Sequence, residues 1–212
     1  MMKNTTAALA LILGLAVSPL WAAPIDDELA HLQHGWAQAY YQVPEAQQKA
    51  RFEALAQEAQ TLVSRYPNRA EPLVWEGIVL STQAKVVGGL SALDKVKRAR
   101  ERLLAAEKMD AEVLDGSVYA SLGSLYAKVP GWPLAFGDKQ KARTYLEQAL
   151  KLNPDGIDPN FFYADLMLDQ GDRDAAARYF RKALAAPPRP GREDADAGRR
   201  HEIEAALAKL SS

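Results

Sequence analysis

The stretches GDKQKARTYLEQALKLNP (residues 137–154) and GDRDAAARYFRKALAAPP (residues 171–188) align without a gap, at an offset of 34 residues. A repeat of this length is typical of stacked two-helix units, none of which can bury its apolar face alone. In each copy the apolar residues recur at helical spacing, a Gly-Asp pair precedes them and a proline follows them. The alignment therefore predicts two successive copies of one helical unit.

A second helix is predicted in front of each of these segments. Residues 117–129 and 158–170 both carry apolar residues at helical spacing, and Asp158 followed by Pro159 has the pattern of an N-cap with proline at the first helical position. Gly123 and Ala164 stand where the paired helices would cross closely. We therefore predict an all-α fold built of antiparallel helix pairs.

This pattern resembles the tetratricopeptide repeat (TPR), in which small residues mark the helix crossings and a proline ends the unit. The last copy offers Ala164, Ala176, Ala183 and Pro188 at those places. The resemblance implies a right-handed superhelix of stacked antiparallel helix pairs, a TPR-like solenoid, whose first helices line a concave groove. The expected segments are a signal peptide (1–22), a divergent first helix pair (23–67), a degenerate unit with an inserted loop (68–111), a unit with an inserted loop (112–154), a regular unit (155–188), and a proline elbow with a C-terminal capping helix (189–212).

The two inserted loops, residues 84–95 and 127–139, resemble each other in sequence. The second contains Pro-Gly-Trp-Pro, which stiffens it, and it carries the large apolar side chains of Trp132 and Phe136. Two interpretations stay open. The loops could pack back over the helix ends as structural plugs, or Trp132 and Phe136 could form the rim of a binding site.

The resemblance also places particular side chains in the groove. Asp165 and Asp169 lie four residues apart on one helix face, where they repel each other unless they are hydrated or a cation compensates them. That cation could belong to a partner or to a neighbouring helix of this chain, and both alternatives stay open. The expected partner-binding or ligand-binding residues are Ser124, Lys128, Trp132, Phe136, Phe161, Asp165 and Asp169.

The N-terminus predicts export. Lys3 is followed by an uncharged apolar run over residues 7–17 and then by small residues, a pattern typical of a secretory signal peptide. We expect cleavage after Ala22 and a periplasmic or secreted protein that does not span the membrane after cleavage. The chain has no cysteine, which excludes a lipid-modified cysteine. The net charge of −1 does not suggest a nucleic-acid partner, which would require a basic face.

The sequence predicts no enzyme. There is no phosphate-binding glycine loop and no recognisable catalytic motif, and His31 and His34 lack a third metal ligand, so we expect no catalytic residues, no metal and no cofactor. The layout is similar to the T component of tripartite ATP-independent periplasmic (TRAP) transporters, which implies an envelope partner such as a periplasmic solute-binding protein.

The expected function is an exported TPR scaffold for protein–protein interaction in the cell envelope, with a protein or peptide partner, as an accessory to a solute-uptake system. The alternative is a periplasmic protein that binds a small hydrophobic ligand through the groove and the Trp132/Phe136 loop. Homo-oligomerisation stays open.

Overall fold

The computed structural model describes residues 25–211, and every regular element in that range is an α-helix. The predicted signal peptide lies outside the described residues. Among residues 25–211, no helix combines the length and the apolar character needed to cross a bilayer. The helices are α1 (Ile25–Tyr41), α2 (Glu45–Arg65), α3 (Ala70–Val87), α4 (Ala92–Met109), α5 (Val113–Lys128), α6 (Lys139–Leu152), α7 (Ile157–Asp169), α8 (Arg173–Leu184) and α9 (Glu193–Ser211).

Consecutive helices pack as pairs, and the pairs stack. Helices α1 and α2, α3 and α4, α5 and α6, and α7 and α8 contact each other, and the second helix of each pair contacts the first helix of the next. The first helices α1, α3, α5 and α7 also contact one another in series, so they form one continuous inner surface. The predicted fold class, a helical solenoid of stacked pairs, is confirmed.

Small residues let the paired helices cross closely. A Cβ atom on Gly123 would lie 2.5 Å from Cγ of Leu146, and one on Gly77 would lie 2.6 Å from Cγ of Leu103. In the fourth pair Ala164 takes this place and is fully buried. A larger side chain at either glycine would overlap the partner helix, so the predicted crossing at Gly123 is confirmed, and the burial of Ala164 agrees with the crossing predicted there.

The predicted cap of α7 is wrong. The helix begins at Ile157, and its N-cap is Gly156, so Asp158 lies inside the first turn. The Asp158 carboxylate pairs instead with Arg189 and Arg199. An aspartate before a proline has the local pattern of a cap, whereas its arginine partners lie 31 and 41 residues further along the chain and leave no local signal.

An elbow over residues 185–192 sends α9 back across the inner surface. Helix α9 contacts α8 and α7, and it also contacts α1 at the opposite end of the stack. There the Tyr41 hydroxyl donates to Glu202 at 3.2 Å, and Nδ1 of His34 lies 3.3 Å from Oδ2 of Asp194. The first and last described helices therefore touch, and the solenoid closes on itself. No local sequence pattern predicts this contact.

Candidate binding groove

The closed arrangement surrounds a groove of about 780 Å³. Its walls come from α1, α3, α5 and α7, from the start of α4, and from the elbow and α9, and residues of both inserted loops also line it. Ligand sites in proteins commonly measure roughly 300–1,000 Å³ and combine apolar walls with a few polar groups. The groove is therefore large enough for a small molecule or for a short stretch of another chain.

Four side chains, Trp36, Tyr40, Tyr41 and Trp75, form one side of the groove, which we name the aromatic wall. Trp36 and Tyr40 lie four residues apart on one face of α1, so their rings stack with centroids 5.4 Å apart. The ring of Trp75 from α3 meets Trp36 edge-on at 6.3 Å. The wall thus joins α1 to α3 and presents aromatic surface to the groove.

The two indole nitrogens of the aromatic wall differ in their partners. Nε1 of Trp36 donates a hydrogen bond of 2.9 Å to Oγ1 of Thr82. Nε1 of Trp75 is buried and has no acceptor among residues 25–211. A buried indole N–H without an acceptor is costly, because it has lost water without gaining a partner.

A cation lies at each end of the aromatic wall. Nζ of Lys85 lies 4.9 Å from the ring centroid of Tyr40 and donates to the Tyr40 hydroxyl. The Arg192 guanidinium lies 5.0 Å from the ring centroid of Trp75, and its buried Nε has no acceptor among the described residues. Burial, and after it the charge of Arg189, lowers the pKa of Arg192. The charge of this side chain is thus incompletely compensated.

An ion-pair cluster joins α7 to the elbow and α9. Asp158 accepts from Nη1 of Arg189 at 2.7 Å and from Nε of Arg199 at 2.9 Å. Arg189 also pairs with the buried Asp196 at 2.6 Å, and Arg199 pairs with Glu202 at 2.7 Å. Burial alone would raise the pKa of Asp158, but the charges of Arg199 and Arg189 outweigh it and hold that pKa well below its usual range. The cluster anchors the elbow and α9 to the repeats.

Four of the predicted binding residues line the groove: Ser124, Lys128, Phe161 and Asp165. The guanidinium of Arg199 lies 4.1 Å from the ring centroid of Phe161. This side of the groove therefore also contains a cation stacked on an aromatic ring. Asp169 lies beside Lys128, one helical turn beyond Asp165.

Two lysines of the chain compensate the predicted acidic pair. Nζ of Lys128 lies 2.7 Å from Asp165 and 2.9 Å from Asp169, and Nζ of Lys139 lies 3.1 Å from Asp169. Burial would raise the pKa of Asp169, but the hydrogen bonds from both lysines lower it. Of the two alternatives, a neighbouring part of this chain supplies the cations.

The structure does not bring Trp132 and Phe136 into the groove. The ring of Phe136 packs edge-on against buried Tyr126 at 5.6 Å, and the guanidinium of Arg100 lies 4.1 Å from its centroid. Trp132 is 90% exposed at the tip of the same loop. Phe136 therefore plugs the helix ends, whereas Trp132 projects into solvent.

Sequence patterns alone do not predict the aromatic wall or its two cations. The spacing of Trp36 and Tyr40 was visible as one face of a helix, but nothing local indicates that α9 encloses that face. Arg192 follows a proline-rich segment that has the composition of a connection to a capping helix. Its position over Trp75 depends on a contact between residues more than a hundred positions apart.

The stacked pairs and the inner groove define a class, the helical-repeat solenoids. Within that class, the sequence model described as "Tetratricopeptide repeat" matches residues 134–198, and together with the fold this match supports a TPR protein. No curated protein matches the chain in sequence.

Two solved structures are similar to the chain. One is TTC0263, a thermophilic TPR protein in Thermus thermophilus, with a TM-score of 0.57 and 18% identity over 87% of this chain and 99% of that one. The other is pilF of Pseudomonas aeruginosa, with a TM-score of 0.37 and 16% identity over 88% and 90% of the two chains. At 18% identity, the similarity to TTC0263 supports a common fold and nothing about function. The TM-score of 0.37 for pilF is too low to support a common fold.

Proposed function

We propose that this protein is a scaffold that holds a segment of a partner protein in the groove. The observation that supports the proposal is the continuous inner surface formed by α1, α3, α5 and α7, which presents aromatic and charged side chains along one path. An extended chain advances about 3.3 Å per residue, so a short segment can contact several of these helices at once. The architecture supplies contact surface and needs no catalytic group.

Site-specific photocrosslinking in the native cell tests this proposal. A photoreactive amino acid at Ser124, inside the groove, is compared with one at Arg178, an exposed position on α8 that does not line the groove. We expect the Ser124 position to form a covalent adduct with a defined protein and the Arg178 position to form none with it. If Ser124 gives no protein adduct, or the same adducts as Arg178, the scaffold proposal is rejected.

The finer proposal is that the scaffold acts in the cell envelope as an accessory to solute uptake. It rests on the signal-peptide pattern of residues 1–22 and on the resemblance to the T component. Edman sequencing of the protein released by osmotic shock is expected to begin at Ala23. Recovery only in the cytosolic fraction, with residues 1–22 retained, would exclude export. A solute-binding protein in the Ser124 adduct would support the accessory role, and any other partner would argue against it.

A second candidate function is the binding of a small hydrophobic ligand. The packing of α9 across the groove favours it, because a partly covered aromatic groove shields such a ligand from water. The groove would form the site without the side chains of Trp132 and Phe136, which do not line it. Native mass spectrometry of the purified protein is the test: a retained ligand of a few hundred daltons would favour this function, and a bare chain would favour the scaffold.

A further inference from the structure

Three large apolar side chains of the two inserted loops project into solvent. Leu90, Trp132 and Leu134 are each between 66% and 90% exposed. The other exposed large apolar side chains of residues 25–211, Met109 and Leu152, are less than half exposed. Exposed apolar surface that is gathered at one place marks an interaction site more often than scattered single residues do.

The base of the second loop is fixed, so Trp132 is held in water. The backbone N–H of Gly137 donates a hydrogen bond of 2.9 Å to the carbonyl oxygen of Pro130, which closes the loop on itself. Val129 is buried and Phe136 packs on the helix ends below the tip. The exposure of Trp132 is therefore a feature of an anchored loop and not of a slack segment.

Both loops leave the stack at the same edge. The first follows α3 and the second follows α5, and these helices contact each other as the first members of successive pairs, so they run in the same direction. Gly89 and Pro130 both line the groove. We name the surface formed by residues 88–91 and 130–134 the loop-tip face.

Basic side chains surround the loop-tip face. Residues 84–100 and 127–141 contain eight lysines and arginines and two aspartates, although the net charge of the whole chain is −1. Three of the eight pair with carboxylates of α3 or α7, namely Arg98, Lys128 and Lys139. Three others have no carboxylate within 4.0 Å in residues 25–211, namely Lys85, Lys95 and Arg100. This excess of positive charge favours an anionic surface as the partner.

Tryptophan, leucine and lysine together match the chemistry of a bilayer interface. An indole combines an apolar ring system with a polar N–H, and tryptophan is enriched at the depth of the lipid headgroups. Lysine is depleted in protein–protein interfaces, whereas beside a bilayer its long side chain reaches the headgroups while apolar neighbours enter the membrane. Anionic lipids attract each basic side chain close to the surface. The combination favours an anionic bilayer over a protein partner.

We propose that the loop-tip face docks on an anionic lipid bilayer, with Trp132, Leu134 and Leu90 inserted among the headgroups and the surrounding lysines close to the lipid phosphates. The docked protein would hold one edge of the groove at the membrane, because both loops also contribute to the groove lining. This inference goes beyond the scaffold function and does not depend on it.

Binding to lipid vesicles tests the proposal. The protein is purified as cells produce it and is mixed with vesicles of phosphatidylcholine alone, or of phosphatidylcholine with about a third phosphatidylglycerol. We expect flotation with the anionic vesicles at least about tenfold stronger than with the neutral ones at low salt, and a loss of this difference as salt is raised. Equal flotation with both kinds of vesicle, or none with either, overturns the proposal.

The emission of Trp132 reports its own insertion. Trp36 and Trp75 are buried, so Trp132 is the one exposed tryptophan of residues 25–211. We expect its emission to shift to shorter wavelength when anionic vesicles are added, and brominated lipids in those vesicles should quench it. Flotation without any change in emission would place the membrane contact elsewhere and overturn the proposal.

Variants assign the contact to the loop-tip face. Trp132→Ala is expected to weaken binding to anionic vesicles at least about tenfold, whereas Trp132→Phe, which keeps an aromatic ring, should retain most of the affinity. Lys95→Gln should weaken binding about fivefold, the contribution of one basic side chain near an anionic surface. All variants share the N-terminus of the wild type, so residues 1–24 contribute equally to every measurement. Circular dichroism checks that each variant is folded.

Matched controls lie at the opposite edge of the same helix pairs. Met109 ends α4 and Lys151 lies in the last turn of α6, whereas the loop-tip face precedes the first turns of these helices. Both side chains are exposed. The connections that follow, residues 110–112 and 153–156, contain three acidic residues and no basic one. Met109→Ala and Lys151→Gln should therefore bind vesicles like the wild type.

The remaining outcomes also decide. If Trp132→Ala binds anionic vesicles like the wild type, or no more weakly than Met109→Ala, the loop-tip face is not the contact and the proposal fails. A dimer in sedimentation that is lost in Trp132→Ala, without vesicle binding, would assign the face to a second copy of the chain. A photoreactive amino acid at Leu90 that captures a defined protein, again without vesicle binding, would assign it to a protein partner. The Ser124 crosslink tests the scaffold function separately from all of these results.

Discussion

Replacement of Gly198 by alanine tests whether α9 closes the solenoid. Gly198 lies inside α9, where glycine is less favourable than alanine by about 1 kcal/mol, so the change would stabilise a helix that faced solvent there. In this structure a Cβ atom at Gly198 would lie 2.3 Å from Cγ of Tyr41 and 2.5 Å from Cδ1. These atoms belong to the base of a ring that packs against Trp36 and Tyr40, so the overlap cannot be relieved by a simple side-chain rotation.

We expect Gly198→Ala to destabilise the protein by about 1–3 kcal/mol, the usual cost of overpacking, partly offset by the gain in helix propensity. The Tyr41→Ala background removes the ring, and there the same substitution should stabilise by about 1 kcal/mol. The difference between the effects of Gly198→Ala on the free energy of unfolding in the two backgrounds measures the coupling between α1 and α9. Urea denaturation followed by circular dichroism and by tryptophan fluorescence measures it.

The control is Ala197→Gly at the adjacent exposed position of α9. It should destabilise by about 0.5–1 kcal/mol in both backgrounds, because it changes helix propensity alone. If Gly198→Ala stabilises the wild-type protein as much as it stabilises the Tyr41→Ala variant, α9 does not pack on α1 and the closed groove is wrong.

Three further predictions concern the repeats, the second loop and the ion-pair cluster. Gly123→Ala should destabilise by about 1–3 kcal/mol in urea denaturation, because its Cβ would overlap Leu146. Trp132→Ala should leave the melting temperature within about 1 °C of wild type, since exposed positions contribute little, whereas Phe136→Ala should lower it by several degrees. Burial would raise the pKa of Asp158, but its arginine partners lower that pKa. The Asp158 carboxylate therefore stabilises the protein above the ordinary aspartate pKa of about 4, and this stabilisation is lost as the pH falls further. Asp158→Asn should therefore flatten the fall in melting temperature below about pH 4.

Each of these predictions has an outcome that contradicts it. A neutral or stabilising Gly123→Ala would mean that α5 and α6 do not cross at this residue. Equal effects of the Trp132 and Phe136 substitutions would mean that the loop does not plug the helix ends. If Asp158→Asn and wild type lose stability in parallel as the pH falls, the arginines do not hold the Asp158 carboxylate ionised.

The helices of the repeats were predictable because their signals are local. The predicted helix at residues 158–170 agrees with α7 (Ile157–Asp169) to within one residue at each end. Apolar spacing, small crossing residues and prolines recur along the chain and act within each helix pair, so the sequence is sufficient to locate the helices. The same locality explains the error at Asp158, whose pattern as a cap is complete without the distant arginines that bind it.

The closure of the groove was not predictable, because it depends on the accumulated rotation of four stacked pairs. A small change in each crossing angle would move α9 away from α1 without altering any local pattern. The composition of the proline-rich elbow is equally compatible with a chain that leads to a simple capping helix and with one that turns back across the groove. The residues that define the candidate site, Trp36, Lys85 and Arg192, come together only through that long-range geometry.

Closure and recognition are also coupled energetically. Arg192 lies in the elbow, and it reaches Trp75 only when the elbow and α9 lie across the inner surface. A ligand that binds both Arg192 and Lys85 therefore binds the closed arrangement and not an open one. By linkage, such a ligand stabilises the closed arrangement by an amount that grows with its concentration relative to its dissociation constant. The helix that lines this side of the groove is therefore also the element whose position such a ligand would stabilise.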